Sequence, residues 1–152
     1  MKHVLILLVL ASCTDTPRKN SPVEEHRETA PACAASAGNE FGPDECLVDA
    51  DCPFPLEQAC ACAGTTFERG QTRNLCVTAG CHVDADCGDG GLCSPSVGDC
   101  GNAFNGVQDF ECRTPDDTCG ADVDCLQDGE PGSCSFLPEV GHWACTFVMC
   151  AG

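Results

Sequence analysis

Apolar residues are spread unevenly along this chain. Val4 to Ala11 (VLILLVLA) is an unbroken run of eight behind a short basic head, Met1-Lys2-His3. The run is far too short to cross about 30 Å of hydrocarbon, and it suits the core of a signal peptide over residues 1–12. The next stretch, Thr14 to about Ala32, holds one large apolar residue, Val23, among three prolines and seven charged residues. Nothing in it offsets the entropy of ordering, so residues 13–32 are expected to form a disordered tether, with His26 a solvated linker residue. Such a coil spans roughly 25 Å, at about 5–6 Å times the square root of its length. Beyond Cys33 no segment keeps a helical apolar period. Gly141 to Cys150 (GHWACTFVMC) is the most strand-like segment, and Cys76-Val-Thr-Ala79 is a shorter candidate. The recurring D-x-D-C segments suit single helical turns or Asx turns capped by Asp.

Cysteine changes this sparse picture. The chain has 152 residues and 17 cysteines, a density expected of a disulfide scaffold. One Trp, seven Phe and no Tyr cannot build a large core, so covalent staples must supply much of the stability, in an oxidising compartment. The cysteines also repeat. Cys46-Leu-Val-Asp-Ala-Asp-Cys52 recurs as Cys81-His-Val-Asp-Ala-Asp-Cys87 and as Cys119-Gly-Ala-Asp-Val-Asp-Cys125. The expected fold is therefore small, disulfide-rich and mostly irregular with short β-strands. It is expected to be a tandem array of three cysteine-rich modules, about 46–76, 81–112 and 119–150, within a region spanning 33–152. The first module holds Cys46, Cys52, Cys60, Cys62 and Cys76. The second holds Cys81, Cys87, Cys93, Cys100 and Cys112, and the third Cys119, Cys125, Cys134, Cys145 and Cys150. Five is odd, so at least one bridge must run between neighbours, or from Cys33 into the first module.

The apolar run ends in Leu10-Ala11-Ser12-Cys13. This resembles the bacterial lipobox. The resemblance implies diacylglycerol on the Cys13 thiol, cleavage before it, and acylation of the new amino terminus. Two or three acyl chains anchor stably where one does not. Setting Cys13 aside leaves sixteen cysteines, an even number that can pair completely. By the same resemblance Thr14, rather than Asp, after the cysteine favours the outer membrane, facing the periplasm or the surface.

The C-x5-C-x5-C spacing of Cys81, Cys87 and Cys93 resembles the Dickkopf amino-terminal cysteine-rich region. It is also similar to the whey acidic protein core, but that family needs an adjacent Cys-Cys pair, and here Ser94 follows Cys93. A protease-inhibitor function is weakened by that departure, and it stands as the alternative to a surface-exposed binding, adhesion or structural protein.

Charge and candidate chemistry narrow the choice further. From Cys33 onward there are 20 acidic residues against Arg69, Arg73 and Arg113. That field repels phosphate backbones, which argues against nucleic acid and leaves protein or carbohydrate ligands, or cations, as compatible partners. Zinc, iron–sulfur and thioredoxin-like sites want C-x2-C, which this sequence lacks, so no cofactor is expected. Asp84, Asp86 and Asp89, with Gly88 and Gly90, resemble part of a calcium loop. Gly88 and Pro95 stand where further acids are needed, and the competing reading is that each Asp accepts backbone N–H bonds. His82 and His142 are the only histidines beyond Cys33, and with Ser94, Ser96 and Ser133 they form no catalytic motif. An enzyme is not expected. Trp143 with Phe147, or Phe54 within Pro53-Phe54-Pro55, offers either a ligand contact or the centre of a small core.

Overall fold

Each C-x-x-D-x-D-C motif closes into one 3-10 turn: η1 (Asp49–Asp51), η2 (Asp84–Cys87) and η3 (Asp122–Asp124). The computed structural model describes residues 25–36, 42–64, 71–98 and 106–147. The second aspartate of each motif starts its turn by accepting two backbone N–H groups. Asp51 Oδ2 takes those of Leu47 and Val48 at 2.8 and 3.0 Å. Asp86 does the same for His82 and Val83 at 2.8 and 3.0 Å, and Asp124 for Gly120 and Ala121 at 2.8 and 3.1 Å.

A two-stranded hairpin follows each turn. β1 (Gln58–Ala61) pairs with β2 (Leu75–Ala79), and β3 (Cys93–Ser96) with β4 (Asp109–Cys112). After a two-residue ribbon, β5 (Leu126–Gln127) with β6 (Glu130–Pro131), β7 (Ser133–Leu137) pairs with β8 (His142–Thr146). In each hairpin two cysteines stand opposite one another: Cys60 and Cys76, Cys93 and Cys112, Cys134 and Cys145. They are not bonded to each other. The first of each pair bridges to the first cysteine of its turn, giving Cys46–Cys60, Cys81–Cys93 and Cys119–Cys134. The second bridges to the second, giving Cys52–Cys76, Cys87–Cys112 and Cys125–Cys145. Two bridges therefore pin each turn across both strands of its hairpin. They close loops of 12 to 15 and 20 to 25 residues. Loops of that size are stabilised by about 3 kcal/mol per bridge.

A seventh bridge, Cys33–Cys62, brings the amino-terminal cysteine to the odd one beside β1. This is one of the two outcomes that cysteine parity demanded. Cys13, Cys100 and Cys150 lie outside the described residues. The chain is thus small and cysteine-rich with short β-strands, and its bridges suit an exported protein. Among the described residues no helix is long and apolar enough to cross a membrane.

The first two hairpins share a sheet. β2 runs parallel to β4, with Thr78 beside Asp109 and Ala79 beside Phe110, giving the order β1-β2-β4-β3. One face gathers Ala59, Ala61, Val77, Val107 and Phe110 with Cys81 and Cys93. The third hairpin has its own small core, in which Trp143 packs among Cys119, Cys125 and Cys134, with Phe136 edge-on at 6.4 Å. Its indole Nε1 donates to the Cys112 carbonyl at 3.3 Å, and the Phe136 N–H donates to Ser96 Oγ at 3.1 Å. Buried amides complete what apolar residues cannot. Asn74, fully buried, accepts from the Ala63 N–H at 2.7 Å and donates to the Ala34 carbonyl at 3.0 Å.

One expectation is corrected. Within the expected 13–32 tether, His26 and Arg27 are fastened to the fold. The Arg27 N–H donates to the Cys93 carbonyl and the Arg27 carbonyl accepts from Asp84, both at 2.8 Å. Arg27 itself is only 6% exposed. A segment too polar to order alone is ordered by ion pairs and by the nearby Cys33–Cys62 bridge. Residues 13–24 lie outside the described residues.

Candidate functional site

The D-x-D aspartates were the residues most open to a ligand reading, and the structure gives both of them backbone work. The first aspartate of each motif reaches into the hairpin and accepts the N–H of its first bridged cysteine. Asp49 Oδ1 takes that of Cys60 at 2.8 Å, Asp84 Oδ1 that of Cys93 at 2.9 Å, and Asp122 Oδ1 that of Cys134 at 2.7 Å. One aspartate thus starts the turn while its neighbour fastens the turn to the strand. The paired N–H donors hold the Asp51 and Asp86 carboxyls below the usual carboxylate range. Of the calcium candidates, Asp84 and Asp86 are engaged in this way, and Asp89 is an exposed side chain between Gly88 and Gly90. Gly88 and Gly90 have φ of +77° and +73°, the left-handed region that favours glycine.

Basic side chains occupy the remaining carboxylate positions. Arg27 Nη2 reaches both Asp49 oxygens at 2.9 and 3.2 Å, and His82 Nδ1 lies 3.1 Å from Oδ2. Burial pushes the Asp49 carboxyl up, but the bonds from Arg27, Cys60 and His82 together bring it below its ordinary value. The Arg27 guanidinium also stacks on Phe110, 4.4 Å from the ring centre. His26, expected to be solvated, lies 2.7 Å from Asp84. In the third hairpin Arg113 covers the Trp143 ring at 3.5 Å and donates to the Cys119 and Gly120 carbonyls at 3.2 Å each. Burial pulls Arg113 down to about 10, against the opposing fields of Asp117, Asp122 and Asp124. Neither Arg27 nor Arg113 was singled out as a site residue from the sequence. The available signal was scarcity: in so acidic a chain, each arginine has many carboxylates to find.

Three sulfur clusters, Cys46/Cys52/Cys76, Cys81/Cys87/Cys93 and Cys119/Cys125/Cys145, bring sulfurs within 4.8 Å. They are the places where paired bridges meet. Each sulfur there is already bonded to another, so none is a thiolate able to hold a metal. His142 Nδ1 lies against the Val140 carbonyl at 3.1 Å, and Ser94 and Ser96 are buried in β3. Trp143, 1% exposed, is core rather than ligand contact.

The outward-facing apolar residues lie elsewhere. Phe54 and Leu56 are 63% and 90% exposed, and half-exposed Leu47 and Val48 precede them in the chain, before η1. Their loop follows the bridged Cys52 and is shaped by Pro53 and Pro55. It is closed by the Glu57 N–H on the Phe54 carbonyl at 2.9 Å and by the Phe54 N–H on Gln58 Oε1 at 3.3 Å. Val123 within η3 and Leu126 just after it are also exposed, as are Val140 and Phe147 around the third hairpin. No family model, curated protein or solved structure matches this chain.

Proposed function

We propose that this chain is an exported lipoprotein, anchored through acyl chains on Cys13, whose cysteine-rich region is a non-enzymatic binding or adhesion module. In this reading the three motifs with their hairpins are tandem modules, about 46–76, 81–112 and 119–150. The same turn, the same two aspartate roles and the same bridge pattern at all three support that division. The observation that carries the binding function is an inversion of ordinary surface logic. Large apolar side chains such as Phe54 and Leu56 stand outside on stapled turns, while Arg27 and Arg113 are drawn inside. Exposed apolar groups on a rigid frame cost little entropy on docking, which favours recognition over mere coating. Anchoring is expected at the outer membrane, and the acidic surface disfavours polyanionic ligands.

The Phe54 loop also bears on protease inhibition. It is closed as a turn, with Pro55 directly after Phe54, whereas a protease cleft takes an extended segment. This geometry favours a docking knob. Membrane fractionation with intact mass spectrometry tests the anchoring. The mature protein should carry acyl chains on Cys13 and sediment with membranes, and C13S should release an oxidised, soluble form. An unacylated mature protein would overturn the anchored reading, and stoichiometric inhibition of an exported protease would replace the binding one.

A further inference from the structure

We infer that the Pro53–Leu56 loop is a docking knob for a cationic polypeptide segment that also carries apolar side chains. This deepens the binding reading above and rests on it. Four large apolar residues, Leu47, Val48, Phe54 and Leu56, are exposed within one ten-residue stretch. Two prolines, the Cys52–Cys76 bridge and the Phe54–Glu57 turn bond hold that stretch in shape. A knob so constrained loses little freedom on binding, and Phe and Leu filling a partner's pocket supply the affinity. Charge selects the partner. Glu57 and Asp51 flank the apolar residues and are exposed, and Glu45, also exposed, is shared with Arg73. Among the described residues nineteen acids face only three arginines, and Arg27, Arg73 and Arg113 are each paired with an acid of this chain, at Asp49, Glu45 and Asp117. Among the described residues, then, each arginine already faces an acid of this chain. The acids around the knob repel anionic lipid headgroups, so a polypeptide with lysine or arginine beside its apolar residues fits better than a membrane surface.

The probe is a short synthetic peptide alternating lysine and leucine, titrated against the full oxidised chain at physiological salt. The variants are F54S/L56S and, as a control at other exposed apolar residues, V123S/L126S. The knob variant should weaken binding about tenfold or more, because it removes most of the buried apolar area. The control should bind like wild type. Trp143 fluorescence and the absence of titratable thiols should match wild type in both, which keeps a folding defect apart from a binding one. Four results would overturn the inference. Wild type shows no peptide binding. Oligolysine, or an alternating glutamate–leucine peptide, binds as tightly. F54S/L56S binds like wild type. Zwitterionic vesicles compete through the same loop. Acyl chains on Cys13 with no peptide binding would leave the anchoring reading standing and remove this one.

Discussion

Replacing Asp109 with Asn should stabilise the protein at neutral pH and do nothing in acid. Asp109 stands in β4 between Ser96 of β3 and Thr78 of β2. Its Oδ1 is buried without a hydrogen-bond partner, and burial, eased only by the Ser96 hydroxyl, pushes its carboxyl up from 3.8 to about 6. Glu111, two residues along on the same face of the strand, is raised by burial and then by the charge of Asp109. The folded chain therefore holds the Asp109 proton more tightly than the unfolded chain does. Stability from this group is complete below about 3.8 and is lost as pH rises to about 6. At about 1.4 kcal/mol per pH unit the full cost of ionising it in place approaches ~3 kcal/mol. Part of the carboxyl still meets solvent, which screens the charge, so roughly 1–2 kcal/mol is expected. An asparagine oxygen can keep the Ser96 bond without the charge. Denaturant unfolding with the bridges intact, followed by Trp143 fluorescence, measures the difference. D109N should exceed wild type by roughly 1–2 kcal/mol near pH 7, with the gain vanishing by about pH 3.5. A gain equal at both pH values, or none at neutral pH, would refute the reasoning.

Three further outcomes follow from the packing. N74A empties a buried side-chain site and strips partners from the part-buried Ala63 N–H and the Ala34 carbonyl, and should cost about 1–3 kcal/mol in the same unfolding assay. R27M leaves the Asp49 carboxylate with His82 and Cys60 alone, and should cost about 3 kcal/mol, with limited proteolysis newly cutting near residues 25–32. G91A drives a Cβ into the Cys87 carbonyl oxygen, so it should lose about 1–3 kcal/mol and slow oxidative refolding, read by thiol titration.

Much of the local design was legible in the sequence. The repeated C-x-x-D-x-D-C motif points to capped single turns, and its aspartates suit backbone N–H bonds as well as calcium. The strand candidate at Cys76–Ala79 lies in β2, and of Gly141–Cys150 the part His142–Thr146 forms β8, with residues 148–150 outside the described residues. Other strands were hidden because apolar alternation does not specify them. Cys93-Ser-Pro-Ser96 has no such pattern and becomes β3 because the Cys81–Cys93 bridge and the Asp84 bond hold it beside β4. The parallel β2–β4 pairing joins segments about thirty residues apart, a contact no local pattern reports. The place of Arg27, inside the expected 13–32 tether, is hidden for a related reason. Its neighbours are polar and small, and its partners, Asp49, Asp84 and Cys93, come to it only through long-range folding.

Two bridges pin each D-x-D turn across its hairpin. Non-reducing peptide mapping of the mature protein by mass spectrometry tests it most directly. The recovered bridges should be Cys46–Cys60 with Cys52–Cys76, Cys81–Cys93 with Cys87–Cys112, and Cys119–Cys134 with Cys125–Cys145, together with Cys33–Cys62. If all sixteen cysteines are oxidised, the peptides carrying Cys100 and Cys150 must then be recovered joined. Bridges between the cysteines that face each other in the hairpins, or between the two flanking a turn, would contradict it.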